Sequence, residues 1–235
     1  MTLTLLVVGL LAQGGPPLRT DDPGTPGDGR WEINVAVTLE SVGDSRLFEA
    51  PLLDVNYGLG NRLQLKVELP WLVAQGDGTG ESGLGKPLLG VKWRFVDADE
   101  AGVSISVYPQ LELNAPRSSR EEGLVERGTD LLWPVQAQVN LGPLEANAEL
   151  GYLFREKSED EWVLGLAFGA PVEERLELIG EVHAESRLPI KREDVLVNAG
   201  CRCGISKDHV LLFSIGRDLS DKPNLTVYLG MQFNL

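Results

Sequence analysis

Arg62-Leu-Gln-Leu-Lys-Val-Glu-Leu-Pro-Trp71 alternates without a slip. In an extended chain Leu63, Leu65, Val67, Leu69 and Trp71 share one face, and Arg62, Gln64, Lys66, Glu68 and Pro70 share the other. The C-terminus repeats the pattern. Leu225, Val227, Leu229, Met231, Phe233 and Leu235 alternate with Thr226, Tyr228, Gly230, Gln232 and Asn234. No amphipathic helix is evident after residue 15. Working outward from turn signals, twelve strands are predicted, at 30–41, 48–59, 61–73, 86–97, 102–115, 130–141, 143–155, 161–170, 174–187, 194–205, 208–218 and 223–235. Most run to about 10 to 14 residues, roughly twice the usual globular strand and enough to cross a bilayer at a tilt.

Short connections (58–61, 97–101, 141–143, 171–173, 206–207) alternate with longer polar ones (42–47, 74–85, 116–129, 156–160, 188–193, 219–222). That asymmetry places tight turns at one end of an antiparallel sheet and loops at the other, as in outer-membrane barrels. The predicted fold is all-β: a single antiparallel up-and-down transmembrane β-barrel of about 12 strands, spanning 30–235.

All five tryptophans fall on apolar faces near strand ends. Threading the strands up and down collects Trp31, Tyr57, Trp93, Phe95, Phe168 and Phe233 at the turn end, and Trp71, Trp133, Tyr152, Phe154 and Trp162 at the loop end. Two such groups form an expected aromatic girdle, where a ring has one apolar and one wet side. Core aromatics of a soluble sheet also gather near strand ends, so the pattern is weighed together with the others. The opposite faces are charged along their length, and alternation alone does not say which face is outside. Small residues within the apolar faces (Ala146, Ala148, Gly180, Ala184) suit lipid better than a close-packed sandwich core.

Composition limits the partners. Twenty-one Lys+Arg against 35 Asp+Glu give a net charge of −14, which argues against nucleic acid. Mean hydropathy is −0.06, and no run approaches the ~18 to 20 apolar residues of a spanning helix. The longest apolar stretch, Thr2 to Ala12, precedes a small-x-small pattern at Ala12-Gln13-Gly14. Residues 1–14 are therefore read as an export signal peptide and 15–29 as a periplasmic N-terminal segment. No Lys or Arg precedes the run, so a buried first element is the competing reading. Cys201 and Cys203 point to the same side of a strand, too far apart for an unstrained disulfide and without nearby ligands for a metal. No cofactor and no metal are expected.

Pro16-Pro17-Leu-Arg-Thr-Asp21-Asp22-Pro23, followed by Gly29-Arg-Trp31-Glu-Ile-Asn, resembles the mature start of the MetA-pathway-of-phenol-degradation-like family of outer-membrane transporters. Asp54-Val-Asn-Tyr57-Gly58-Leu-Gly60-Asn-Arg62-Leu, Glu68-Leu-Pro70-Trp71 and Gly83-Leu-Gly85-Lys-Pro-Leu-Leu-Gly90-Val-Lys92-Trp93-Arg94-Phe95 are similar too. The resemblance implies an outer-membrane barrel that admits small, aromatic or hydrophobic compounds, in a Gram-negative-type bacterium. It transfers no functional residue. The chain ends Phe233-Asn-Leu235, whereas barrels usually finish on the Phe or Trp that the barrel-assembly machinery reads.

Motifs for chemistry fail one by one. Gly80-Glu-Ser-Gly-Leu-Gly85-Lys86 has phosphate-loop spacing, but Pro87 replaces the Ser/Thr and a strand follows instead of a helix. Gly76-Asp-Gly-Thr-Gly-Glu lacks the ligand spacing of a calcium loop. No histidine is arranged as the base of a nucleophile, so no catalytic residue is assigned and the chain is read as a non-enzyme.

The candidate pore lining is the polar face: Arg62, Lys66, Glu68, Lys92, Arg94, Glu112, Glu145, Glu149, Glu177, Glu181, Glu185 and Arg202. A basic wall (Arg62, Lys66, Lys92, Arg94) opposite an acidic one (Glu145, Glu149, Glu177, Glu181) would set a transverse field across a pore. Alternatively these groups pair and fill the lumen, because an unpaired buried charge is costly. The expected partners are outer-membrane lipid, the barrel-assembly machinery and a small-molecule solute. The expected function is a passive channel or transporter. A closed structural or adhesive barrel, and a secreted soluble sandwich or lipocalin-like binder, stand as alternatives.

Overall fold

The computed structural model describes residues 15–76, 79–97, 102–221 and 223–235. The expected export signal, 1–14, lies outside the described residues. The chain folds as one closed antiparallel barrel. Its hydrogen-bonded segments are β1 (Trp31–Val42), β2 (Ser45–Leu59), β3 (Leu63–Gly76), β4 (Thr79–Leu84), β5 (Leu88–Val96), β6 (Val103–Val107), β7 (Gln110–Glu112), β8 (Asp130–Leu141), β9 (Leu144–Phe154), β10 (Glu161–Glu173), β11 (Leu176–Ser186), β12 (Val195–Gly204), β13 (His209–Asp218) and β14 (Leu225–Asn234).

Fourteen segments make twelve wall strands. β3 pairs with β4 through Trp71–Gly76 and with β5 through Leu63–Glu68, so β4 and β5 are two halves of one strand. β6 and β7 likewise share β8, at Val107↔Val135 and Gln110↔Leu132. Prolines mark both breaks. Pro87 and Pro109 cannot donate to the ladder but still accept, from Leu113 N–H (2.8 Å) and Val91 N–H (3.0 Å). Closure is by β1 on β14, from Glu32↔Asn234 to Ser41↔Leu225. Reciprocal bonds between the Trp31 and Leu235 backbones, 2.9 Å each, end the seam.

Three local expectations need correction. The connection after β1 is a tight turn, with Gly43 in the left-handed region (φ 60°), because β2 starts at Ser45. Residues 79–84, expected in a loop, extend the wall as β4. The strand expected at 102–115 breaks at Tyr108-Pro109. The 113–129 loop also contains a five-residue helix, α1 (Arg117–Glu121), too short to leave a helical period in the sequence.

Burial is inverted relative to a soluble protein. Leu166, Trp93 and Leu229 are more than half exposed, whereas Gln136, Ser106, Asp54 and Lys66 are buried. Apolar side chains face outward around the ring and polar ones inward, as lipid on one side and a polar interior on the other require. A soluble sandwich with its apolar faces packed together is thereby replaced by a transmembrane barrel.

Candidate functional site

The inward face of each strand builds the lumen, and its charges are partnered. On β3, Lys66 Nζ lies 3.3 Å from Asp54 of β2 and 2.8 Å from Glu68. Asp54 also accepts from Asn34 (3.2 Å) and Asn56 (3.0 Å). Gln64 donates to Asn56 at 2.7 Å and to the Tyr108 hydroxyl at 3.3 Å. Lys92 Nζ sits 4.6 Å from the Tyr108 ring centroid. An ammonium taken out of water needs this density of acceptors.

The partner of Lys92 comes from outside the sheet. Its Nζ reaches Asp21 Oδ1 at 3.1 Å and the Asp22 carbonyl at 2.7 Å. The segment 15–29, expected in the periplasm, runs into the barrel from the turn end. Gly58 and Gly29–Arg30 exchange backbone bonds of 2.9 and 3.0 Å, and Gly60 N–H donates to Asp28 at 2.9 Å. The approach is so close that a Cβ on Gly58 would stand 1.8 Å from the Gly27 carbonyl oxygen. Only glycine fits there.

Further in, Leu18, Thr20 and Asp21 are buried. Glu181 of β11 accepts the Arg19 N–H (2.9 Å), the Thr20 N–H (2.7 Å) and the Asn198 amide (3.0 Å). Ser214 donates to the Pro17 carbonyl at 2.7 Å, and Arg19 pairs with Glu40. Leu18 packs against Ala167 and Ile179. Gly165 leaves the space that Thr20 fills, since a Cβ there would meet Thr20 Oγ1 at 2.4 Å.

The two proposed walls therefore do not face each other across open space. Lys66 and Lys92 are matched by Asp54, Glu68 and Asp21 on their own side. Glu149 accepts from Gln136 at 2.8 Å, Glu177 pairs with Arg202 at 3.3 Å, and Glu145 accepts from Asn147 at 2.9 Å. Arg62 is exposed at the turn end, and Arg94 lies there 3.4 Å from Asp97. Toward the loop end Lys86 bridges Glu112 (3.4 Å) and Asp130 (2.8 Å), and Arg155 joins Glu161 (2.6 Å) and Glu185.

Asp21, Asp54, Asn56 and Tyr108 belong to this network and were not among the expected lining. Asp54 and Asn56 alternate in phase with Gly58, a signal present in the sequence. Asp21 lies in no strand and carried no such signal. Toward the loop end apolar side chains join the lining, interleaved with the ion pairs there. Leu72, Ala74, Ala115, Leu124 and Val125 form one cluster, and Leu132, Leu153 and Val163 another. A cavity of about 150 Å³ borders Asp21, Asn56, Lys66 and Tyr108. A vestibule of about 470 Å³ opens beside Glu32, Glu174, Glu177 and Arg202.

The aromatic residues expected in the girdles lie on the outward face, whereas Tyr108 and Tyr228 are buried inside. Trp31 and Tyr57 pack as a tilted pair with centroids 4.6 Å apart, Trp93 and Phe95 likewise at 5.6 Å, and Phe233 meets His209 edge-on at 5.2 Å. Trp133, Tyr152 and Trp162 stand level across three strands, and Tyr152 lies 5.0 Å from Trp162 and 4.9 Å from Phe154. Trp71 is level with Leu84, and Phe168 with Gly180.

No protein-family model matches the chain, and no curated protein sequence matches it. Solved structures do. An outer-membrane channel from Pseudomonas putida F1 is 14% identical with a TM-score of 0.65, covering 91% of this chain and 98% of that one. The NanC porin is 9% identical with a TM-score of 0.64, over 86% and 100%. The KdgM porin is 11% identical with a TM-score of 0.62, over 86% and 98%. At these identities the likeness is one of fold. The chain has the fold of the Gram-negative outer-membrane β-barrels. Within that class it is a twelve-strand barrel whose lumen holds its own N-terminal segment.

Proposed function

We propose that the protein is a passive outer-membrane channel for small solutes, inserted by the barrel-assembly machinery and closed by residues 15–22 until they move. The observation that carries this reading is the seating of that segment. Side chains of the wall hold it, Glu181, Lys92, Ser214, Glu40 and Arg202 each bonding the segment. The apolar clusters at the loop end favour an apolar or aromatic solute, in keeping with the transporter family that the motifs resemble. The outward rings serve as the two membrane-level girdles.

Bilayer conductance and liposome swelling test the proposal. The full chain is expected to conduct in brief openings, and a chain lacking residues 15–22 to conduct steadily. A well-folded deletion variant that passes neither ions nor solutes would sink the channel reading in favour of a closed structural barrel.

A further inference from the structure

At the loop end, outside the lumen network, a groove of about 640 Å³ lies between the 113–129 loop and Lys157 of the β9–β10 loop. Four cations line it, Arg117, Arg120, Arg127 and Lys157, against Glu121 and Glu126, with Val125 as the apolar member. This excess of positive charge stands out in a chain of net charge −14. The cations are not equally occupied. Arg117 pairs with Glu121 at 2.8 Å and Lys157 with Glu156 at 3.2 Å. Arg120 commits only Nε, to the Ala115 carbonyl at 3.1 Å. Arg127 makes no hydrogen bond or close ion pair among the described residues, and its charge acts on Glu156 only through space. Glu156 is already engaged by the Thr129 N–H at 2.9 Å as well as by Lys157.

The groove is also built and not merely exposed. Gly128 N–H donates to Asn114 (2.7 Å), closing the 113–129 loop on itself, and Glu156 joins the two loops by accepting the Thr129 N–H (2.9 Å) and donating its own N–H to Asp130 (3.0 Å). Val125 packs with Leu124 on Leu72 and Ala74, the start of the apolar lumen wall. Planar guanidinium forks with unspent donors bind carboxylate or phosphate oxygens in pairs. An apolar contact next to them accepts the body of a small molecule.

We infer that this groove is an outer docking site for a soluble solute joining one anionic group to an apolar body, with Arg120 and Arg127 taking the anion and Val125 the body. That the docked molecule is also the cargo rests on the channel reading; docking itself does not.

The test is a fluorine NMR titration of 4-fluorobenzoate into the detergent-solubilised full chain, with 4-fluorobenzyl alcohol as the uncharged control. Saturable line broadening is expected for the benzoate, and at least tenfold weaker binding for the alcohol. Arg127→Gln removes no hydrogen bond of the loops and should weaken benzoate binding about tenfold, as for the loss of one charge-assisted contact. R120Q/R127Q should abolish it while heat-modifiable gel migration stays that of a folded barrel. Equal affinity in Arg127→Gln, or no saturable binding in the parent chain, overturns the inference. Displacement of the benzoate by stoichiometric lipopolysaccharide would assign the forks to lipid phosphate and overturn the soluble-solute reading. Because no flux is measured, a failed channel and a failed groove give different results.

Discussion

Glu181 illustrates how one side chain commands the lumen. Its carboxylate collects the two backbone N–H groups of Arg19 and Thr20. Hydrogen bonds to a charged acceptor contribute about 1.5–3 kcal/mol each. Glu181→Gln keeps the shape and loses the charge, so channel open probability should rise several-fold in single-channel recordings; an unchanged open probability would remove Glu181 from this role. Gly165→Val should have the same phenotype by a different cause, because the new side chain enters the space of Thr20. Lys66 tests stability instead. Lys66→Met leaves Asp54 and Glu68 side by side without their cation and should cost about 3–5 kcal/mol in urea unfolding from lipid vesicles. Alternation alone was enough to turn Lys66 and Lys92 inward. It could not say which carboxylates they meet. Asp54 depends on register across the β2 bulge near Ala50-Pro51, and Asp21 arrives from a segment with no period.

At the scale of elements, the strands were legible because lipid and lumen impose opposite solvents on successive residues, which writes a period of two into the chain. Leu166 is a fair test of that inversion. Leu166→Arg puts a charge on the outward face, more than half exposed, and should cost about 2–4 kcal/mol in vesicles if the position lies near the bilayer midplane. A soluble protein would tolerate the same exposed substitution almost freely. What was not legible follows from the same physics. Pro87 and Pro109 break strands without breaking the facing pattern, so β4–β5 and β6–β7 each resemble one long element or a loop. α1 has five residues, less than two turns.

The loops also carry a pH signature. The Thr129 N–H, followed by Lys157, holds the exposed Glu156 carboxyl below its ordinary range. A depressed pKa means the tie is present at neutral pH and lost only as pH falls through that lowered value. Protection of the Thr129 amide, corrected for intrinsic exchange, should persist at pH 5 and collapse in stronger acid. Loss already between pH 7 and 6 would show that Glu156 is not its partner.

Over the whole molecule, polar atoms are inside and apolar ones outside, and the acidic excess of the composition resides in lumen, turns and loops. The charge does not act as two facing walls. At mid-height the carboxylates are met locally by cations (Lys66, Lys92, Arg19) or by neutral donors (Gln136, Asn198, Thr38), with a carboxylate-rich vestibule at the turn end (Glu32, Glu173, Glu174, Glu177) and an arginine-rich groove at the loop end. Any residual field runs along the axis of the barrel. Reversing the orientation of reconstituted protein should therefore invert the sign of current rectification in symmetric salt; a symmetric current–voltage curve in oriented bilayers would contradict an axial field.

The close approach of Gly27 to Gly58 makes the N-terminal segment a ball on a tether. From that pivot back to Gly15 the chain can span about 40 Å when extended, more than the ~25 Å apolar band of a barrel wall. Residues 15–22 can clear the lumen without any strand moving, yet they stay in the neighbourhood of their seat. A short flexible tether of this kind gives millimolar effective concentration. The seat therefore needs only millimolar affinity to stay occupied most of the time. A seat set near that balance point would respond to small differences in binding free energy, and a weakly bound solute in the lumen would then be enough to compete the segment away.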